Sequence, residues 1–320
     1  MARDRGSGDG EHSLSIRAAW LHYVGGMRQA EVAKRLGVTS VKAHRLIARA
    51  VAEGAVKVSI EGDIIDCFEL EQALCLRYGL ATCEVAPDLD EEGIPLRALG
   101  AAGASWLRRC LENGEDHIIA ISHGRTLTAA VRTMPHMSLP NQRFVSLLGG
   151  LTRNFAANPH DVMHLLAEKT GAQAYVMPVP FFANSVDDRT VLLAQRGISD
   201  VLQMAEAAPL KLVGVGTASY DAQLVVAGLI QSSEIETISA EGGCGEILGH
   251  FFDAEGKILD TPLTKRTIAA SLGEGRDRSD RIIALAGGSH KVDAIRAVLN
   301  SGQLSGLITD ERTARALLDT

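Results

Sequence analysis

Arg28-Gln-Ala-Glu-Val-Ala-Lys-Arg-Leu-Gly37-Val-Thr-Ser-Val-Lys-Ala-His-Arg-Leu-Ile47 reads as two short helices joined by a sharp turn. Ala33 sits where the helices must cross closely, so a small side chain is needed there. Gly37, four residues on, supplies the positive φ that the turn requires. Val32, Leu36 and Val38 fill the wedge between the helices, and Thr39 is a good N-cap for the second. In that second helix Ala43, Leu46, Ile47 and Ala50 fall at i, i+3, i+4 and i+7, one buried face. The pattern is that of a helix-turn-helix.

The flanking sequence extends the unit. Upstream, Ile16 to Val24 reads as a helix with Ile16, Ala19, Trp20 and Tyr23 on one side, broken by Gly25-Gly26. Residues 1–14 are polar and Gly-rich without an apolar run, so they are expected as a disordered arm and not as a secretory signal. Downstream, Gly54 suits a helix end, and Val56-Lys-Val-Ser-Ile60 alternates like the strand of a wing. Residues 15–62 therefore read as an all-α, winged helix-turn-helix domain, and residues 63–320 as a second domain.

Charge separates the same two parts. Residues 1–60 hold ten Lys and Arg against five Asp and Glu, whereas the remaining 260 hold 22 against 34. A small basic unit on a large acidic one is the electrostatic pattern of a nucleic-acid reader joined to something else. The N-terminal end of the second helix of such a motif enters the major groove. Ser40, Lys42, His44 and Arg45 occupy that end and are expected to meet base edges and phosphates. Arg28, Lys34, Arg35 and Arg49 are placed for backbone phosphates. The plainer alternative is a helical hairpin with a solvated basic face.

The rest of the chain is aliphatic, with 32 glycines and only 4% aromatic residues, which suits buried strands and tight turns of an α/β domain. Ile64 to Leu80 is expected as a helix joining the domains, packing either on its own domain or in a dimer contact. Beyond Cys83, apolar strands alternate with amphipathic helices, the pattern of a mostly parallel sheet with helices on both faces. Candidate strands are 117–121, 144–148, 174–177, 211–215, 282–285 and 306–308. Candidate helices are 126–134, 161–169, 289–300 and 311–318. Asp253-Ala-Glu-Gly256 between apolar residues predicts an antiparallel hairpin inserted late in the sheet.

Several function classes drop out. No stretch approaches the roughly 18 to 20 apolar residues that span a bilayer. Five scattered cysteines with no C-x-x-C pair suit reduced thiols in a cytoplasmic protein, and neither they nor nearby histidines have zinc-site spacing. Neither G-x-G-x-x-G nor G-x-x-x-x-G-K-[ST] occurs, so no dinucleotide, ATP or other cofactor is expected.

Ligands of open α/β sheets bind beyond the carboxyl ends of the strands. Four Gly-containing loops are expected there: Ser122-His123-Gly124-Arg125-Thr126, Gly149-Gly150, Val215-Gly216 and Ala286-Gly-Gly-Ser-His-Lys291. The first offers N–H groups at a helix start to an anion or hydroxyls. Lys291 supplies a cation. Glu246, in Gly-Gly-Cys-Gly-Glu, accepts hydrogen bonds from hydroxyls. For each loop alone, a tight turn is the simpler reading.

Six ordered motifs then carry a resemblance: Ser122-His-Gly-Arg-Thr-Leu, Leu147-Leu-Gly-Gly-Leu, Val213-Gly-Val-Gly, Gly243-Cys-Gly-Glu-Ile-Leu-Gly-His-Phe-Phe-Asp, Ala286-Gly-Gly-x-x-Lys-x-x-Ala-Ile and Leu307-Ile-Thr-Asp-Glu-x-Thr-Ala. Over roughly residues 15–318 the chain resembles the SorC family of sugar-binding bacterial transcriptional regulators, and within it repressors of erythritol catabolism. The resemblance implies a Rossmann-like domain related to sugar-phosphate isomerases and deaminases, self-association to a dimer or tetramer, and an operator grip altered by a sugar, sugar alcohol or sugar phosphate. It places Gly124, Arg125 and Thr126 in the effector loop and matches Lys291 to the motif lysine. Glu246 stands where many members carry Asp, and His123 departs from the small or aromatic residues often found at its position. The rival is a sugar-phosphate isomerase or deaminase using Glu246, His123, Asp310 and Glu311 as acid and base groups. Fold likeness does not carry activity, and the helix-turn-helix weighs against it.

Overall fold

Gly37 adopts φ 65°, the left-handed turn that lets two helices meet at an angle. In the computed structural model, which describes residues 6–56, 65–150, 161–272 and 281–319, this turn lies between α2 (Gln29–Leu36) and α3 (Ser40–Ala52). The Thr39 side chain accepts from Lys42 N–H and caps α3. Val32, Ala33, Ala43, Leu46 and Ile47 form the small core with Ala18 and Leu21, and Leu36 and Val38 pack at its edge. The chain divides into two compact units, Met1–Gly62 and Asp63–Thr320. The wing expected at 56–60 and the boundary expected at 62/63 fall, apart from Val56, outside the described residues.

Of the disordered arm expected over residues 1–14, residues 1–5 lie outside the described residues, and the remainder needs correction. From Gly6 the chain is helical, as α1 (Gly6–Ala19), and continues into a π-helical turn at Trp20–Val24. Long-range pairs hold this polar segment: Glu11 meets Arg49 at 3.2 Å, and His12 Nδ1 lies 2.8 Å from Glu53. Of the apolar positions expected to share a face, only Ala19 is buried; Ile16, Trp20 and Tyr23 are exposed, and the core contacts come from Ala18 and Leu21.

In the larger unit the elements run α4 (Ile65–Tyr78), β1 (Thr82–Ala86), α5 (Leu96–Asn113), β2 (Ile118–Ile121), α6 (Arg125–Thr133), β3 (Arg143–Gly150), α7 (Val162–Thr170) and β4 (Gln173–Pro180). There follow α8 (Val186–Leu193), α9 (Arg196–Glu206), β5 (Leu210–Val213), β6 (Gly216–Thr217), α10 (Gln223–Val226), α11 (Ser232–Ala240), β7 (Gly245–Ile247) and β8 (His250–Phe252). The chain ends with α12 (Pro262–Lys265), β9 (Arg281–Leu285), a 3-10 turn at Ser289–Lys291, α13 (Val292–Asn300), β10 (Gly306–Asp310) and α14 (Glu311–Leu318).

Seven strands form one parallel sheet in the order β1-β10-β9-β5-β2-β3-β4. Both faces are covered, as continuous aliphatic strands require. Ile119, Ile121, Ile283 and Leu285 face a core shared with α5, α6 and α7. Ala120, Ile282, Ala284 and Leu307 face the opposite core, which includes Leu74 of α4, Ile295 and Val298 of α13 and Leu317 of α14. Thus α4 packs on its own unit, although Phe68 and Leu76 stay exposed.

The late hairpin is not part of this sheet. β6, β7 and β8 make a separate antiparallel sheet, and the tight turn between β7 and β8 is Leu248-Gly249. Asp253–Lys257 forms a further turn, closed by the Phe252–Ile258 bridge.

Candidate functional site

Strand order sets the position of the cleft. From β2 the chain proceeds to β3 on one side, and from β5 its next strand in the sheet, β9, lies on the other side. The loops leaving the adjacent strands β2 and β5 therefore diverge, and a crevice opens between them. It is a cleft of about 110 Å³, lined from the first loop by Ser122, His123, Gly124, Arg125 and Thr126 and from the second by Gly214, Val215, Gly216 and Thr217. Glu246 and Lys291 also face it, with Leu148 and Phe181 as apolar wall.

Each polar group is held by the fold. Gly124 takes φ 144°, a conformation closed to most side chains, and so places Arg125 as the first residue of α6. Thr126 Oγ1 donates to Leu285 O at 2.8 Å and ties the helix start to the end of β9. Ser122 Oγ accepts from Gly214 N–H at 3.3 Å, joining the two loops. His123 Nε2 lies 3.5 Å from Ser146 Oγ.

Glu246 lies on β7 opposite Gly216 of β6. Its Oε1 accepts from Gly249 N–H at 2.6 Å. A Cβ at position 216 would stand 2.3 Å from its Oε2, so only glycine leaves room for the carboxylate. Burial pushes the Glu246 carboxyl up to about 7, against the opposing pull of the Gly249 N–H and the Lys291 charge. Lys291, in the turn before α13, donates to Val215 O at 2.6 Å. Burial and the nearby Arg125 charge bring its ammonium down to about 8, with Glu246 acting the other way. The cleft thus combines a helix N-terminus, two basic side chains and a buried carboxyl on one small volume. That set suits a ligand with hydroxyls at one end and negative charge or further hydroxyls at the other.

Six of the eight residues expected here line the cleft: His123, Gly124, Arg125, Thr126, Glu246 and Lys291. Gly149 and Gly150 do not. Gly149 lies where β3 and β4 approach closely, and a Cβ there would meet Val179 O and Pro180 O at 2.7 and 2.6 Å. Gly150 accepts from Phe181 N–H. Gly214, Thr217, Leu148 and Phe181 escaped the sequence reading as ligand-facing residues, while Ser122, Val215 and Gly216 were expected only as parts of ligand-end loops.

The acid and base set of an enzyme also shrinks. Asp310 caps α14, its carboxylate accepting from Thr313 N–H, Thr313 Oγ1 and Gly288 N–H. Glu311 accepts from Arg315 and from Asp88 N–H. Neither lines the cleft.

The smaller unit carries a different surface. Ser40, Lys42, His44 and Arg45 are exposed on α3, opposite its buried face. His44 Nδ1 is 3.2 Å from Gln29 Oε1. Arg28, Lys34 and Arg35 are exposed on and before α2. Arg49, expected to meet phosphate, is instead engaged with Glu53 at 2.7 Å and Glu11 at 3.2 Å, a tether between α3 and α1.

Residues 62–319 match the sugar-binding domain family (Sugar-bind). The chain is 64% identical over 310 residues to the erythritol catabolism regulatory protein EryD of Brucella abortus (strain 2308), covering 97% of this chain and 98% of that one. It is 31% identical over 313 residues to the transcriptional regulator LsrR of Enterobacter sp. (strain 638), covering 96% and 93%. The full-length sorbitol operon regulator SorC of Klebsiella pneumoniae superposes with a TM-score of 0.70 at 26% identity, over 97% of this chain and 100% of that one. These relatives are named as regulators, not enzymes. Seven parallel strands, a cleft at the divergence of β2 and β5, and a family match over the whole larger unit lead to one assignment: the chain belongs to the SorC-type family of sugar-binding transcriptional regulators.

Proposed function

We propose that the chain represses a catabolic operon, gripping operator DNA through α3 and loosening or tightening that grip when a small polyhydroxylated effector occupies the cleft. The observation that carries this reading is the convergence of the α6 N-terminus, Arg125, Lys291 and Glu246 on one volume at the sheet's divergence point. A phosphate end would rest on the N–H groups of residues 124–126 beside the two cations, and the hydroxyls of a sugar or sugar alcohol would donate to Glu246. The relative named for erythritol catabolism directs the choice to a four-carbon polyol or its phosphate. The site of action is the cytoplasm; no helix among the described residues is long and apolar enough to cross a membrane. A dimer or tetramer is the working species, because one headpiece reads only a short half-site.

The test is a thermal-shift series of tetritols, aldoses and their phosphates, followed by anisotropy on a duplex selected from a randomised library. At 100 times its Kd a true effector adds about 2.7 kcal/mol of stability. The same compound should change DNA affinity. With a phosphorylated effector, Arg125→Ala or Lys291→Ala abolishes the response; with a neutral polyol, Glu246→Gln does most of the damage. If all three variants respond like the parent, the cleft is not the effector site. Sedimentation at micromolar concentration showing only a 34.0 kDa species would remove the oligomer from the reading.

A further inference from the structure

Two valines of α3 are exposed, Val51 near its C-terminal end by 46% and Val41 near its start far more. Val41, the second residue of that helix, is 80% exposed. The buried face of α3 is made by Ala43, Leu46, Ile47 and Ala50. Val41, His44, Arg45 and Ala48 fall at i, i+3, i+4 and i+7, a second stripe, and all four are exposed. Stability does not account for valine at this position. A β-branched residue is a poor helix former, and an exposed one packs against nothing in return.

The surroundings of Val41 indicate what it meets. Lys42 and Arg45 are exposed on the same helix, Lys34 and Arg35 are exposed on α2, and residues 1–60 carry an excess of five positive charges. The partner is therefore polyanionic, yet phosphates offer nothing to an isopropyl group. A DNA duplex supplies both partners at once: phosphates on its rim, and in the major groove the C5-methyl of thymine, the apolar mark by which that base differs from cytosine. The Thr39 cap fixes the start of the helix, and the His44–Gln29 contact ties the same stripe to α2. Val41 has few rotamers to lose on binding.

We infer that Val41 packs against the 5-methyl group of a thymine in the operator's major groove, which makes it a specificity-determining residue beside Ser40, Lys42, His44 and Arg45. The inference rests on the reading of α3 as the DNA-contacting helix.

The test uses the full-length protein and the duplex it selects from a randomised library. Each thymine is replaced singly by deoxyuridine, which keeps every hydrogen-bonding group and removes only the methyl. For one thymine per half-site the parent should bind about three- to tenfold more weakly, the size expected for one buried methyl. Val41→Ala should bind the thymine and uracil duplexes equally, with a melting temperature no lower than the parent's, because the position is exposed and alanine is the better helix former. Indifference of the parent to every deoxyuridine, or undiminished methyl discrimination by Val41→Ala, overturns the inference while leaving α3 as the DNA-contacting helix. Failure to select any preferred duplex overturns both together.

Discussion

The residues of α3 and those of the cleft handle charge in opposite ways. On α3, Lys42, His44 and Arg45 are exposed to water, His44 beside Gln29 and Arg45 within 3.8 Å of Glu11. In the cleft, Glu246 and Lys291 are already withdrawn from solvent and already hydrogen-bonded, to Gly249 N–H and Val215 O. Exposed cations recognise by long-range attraction, which salt screens, so a surface of this kind is governed by ionic strength. Buried groups recognise by orientation and are governed by protonation. Under the proposed function one chain carries two recognition surfaces with different environmental sensitivities, and substitutions in each should separate them.

The largest effect is expected at the buried cation. Lys291→Ala removes one member of a desolvated polar set and leaves Glu246 and Val215 O with fewer partners. Truncations of that kind cost about 2–5 kcal/mol of binding. Calorimetry with the polyol or phosphate that binds the parent best should lose at least an order of magnitude in affinity. Selected-duplex affinity without effector should stay within a factor of two. A loss below threefold in the first measurement would mean that Lys291 is a structural lysine.

Protonation gives the second contrast. The Glu246 carboxyl is raised from 4.5 to about 7, so between those values the folded chain holds a proton that the unfolded chain has released. Stability from this group is full below pH 4.5 and is lost as pH rises to about 7. Lys291 is lowered from 10.5 to about 8, so from about 8 upward the unfolded chain holds the extra proton and stability rises again with pH. Together the two groups place their least favourable window between about pH 7 and pH 8. Glu246→Gln removes the falling limb, and its melting temperature relative to the parent should climb between pH 5 and pH 7. Parallel curves for the two proteins would show that the carboxyl is not desolvated in solution.

How far each surface was legible follows from how local it is. The helix-turn-helix lies within twenty consecutive residues, and its Ala33, Gly37 and Thr39 do their work on immediate neighbours. The cleft draws on segments from residue 94 to residue 291. Gly124 and Lys291 were legible because loop glycines and a cation mark themselves, but Leu148 and Phe181 are ordinary apolar residues that only strand order makes into a wall. Gly149 misled for the same reason: its need is a close approach to β4, which no local pattern distinguishes from a ligand loop. α5 was overlooked because its buried face includes Gly100, Gly103 and Ala104 as well as Leu99 and Leu107, which blurs the helical period. Residues 6–14 read as disordered because their helix depends on Arg49 and Glu53, some forty residues away.

For the exposed surface, Lys42→Ala with Arg45→Ala should weaken the selected duplex by about 1–3 kcal/mol for each base-edge hydrogen-bonding pair removed, while Ala43, Leu46 and Ile47 hold the fold. The slope of log affinity against log salt should flatten, because fewer counterions are released. An unchanged slope would remove both residues from the DNA surface. Effector affinity in the cleft should not change.

The smallest effect separates fold from recognition within α3 itself. Thr39 contributes no expected base contact; its hydroxyl accepts from Lys42 N–H and closes the first turn of the helix. Thr39→Ala leaves that N–H without its cap and should cost about 1 kcal/mol of stability. The loss falls on the turn that carries Ser40, Val41 and Lys42, so DNA affinity should decline modestly along with the melting temperature of the smaller unit. Thr39→Asp restores a side-chain acceptor and should recover the stability, while its negative charge at the groove-facing end should not recover the DNA affinity. Recovery of both by aspartate would place this end of α3 away from the phosphates and against its role as the groove-entering end. Recovery of neither would show that the hydroxyl acts through something other than the cap.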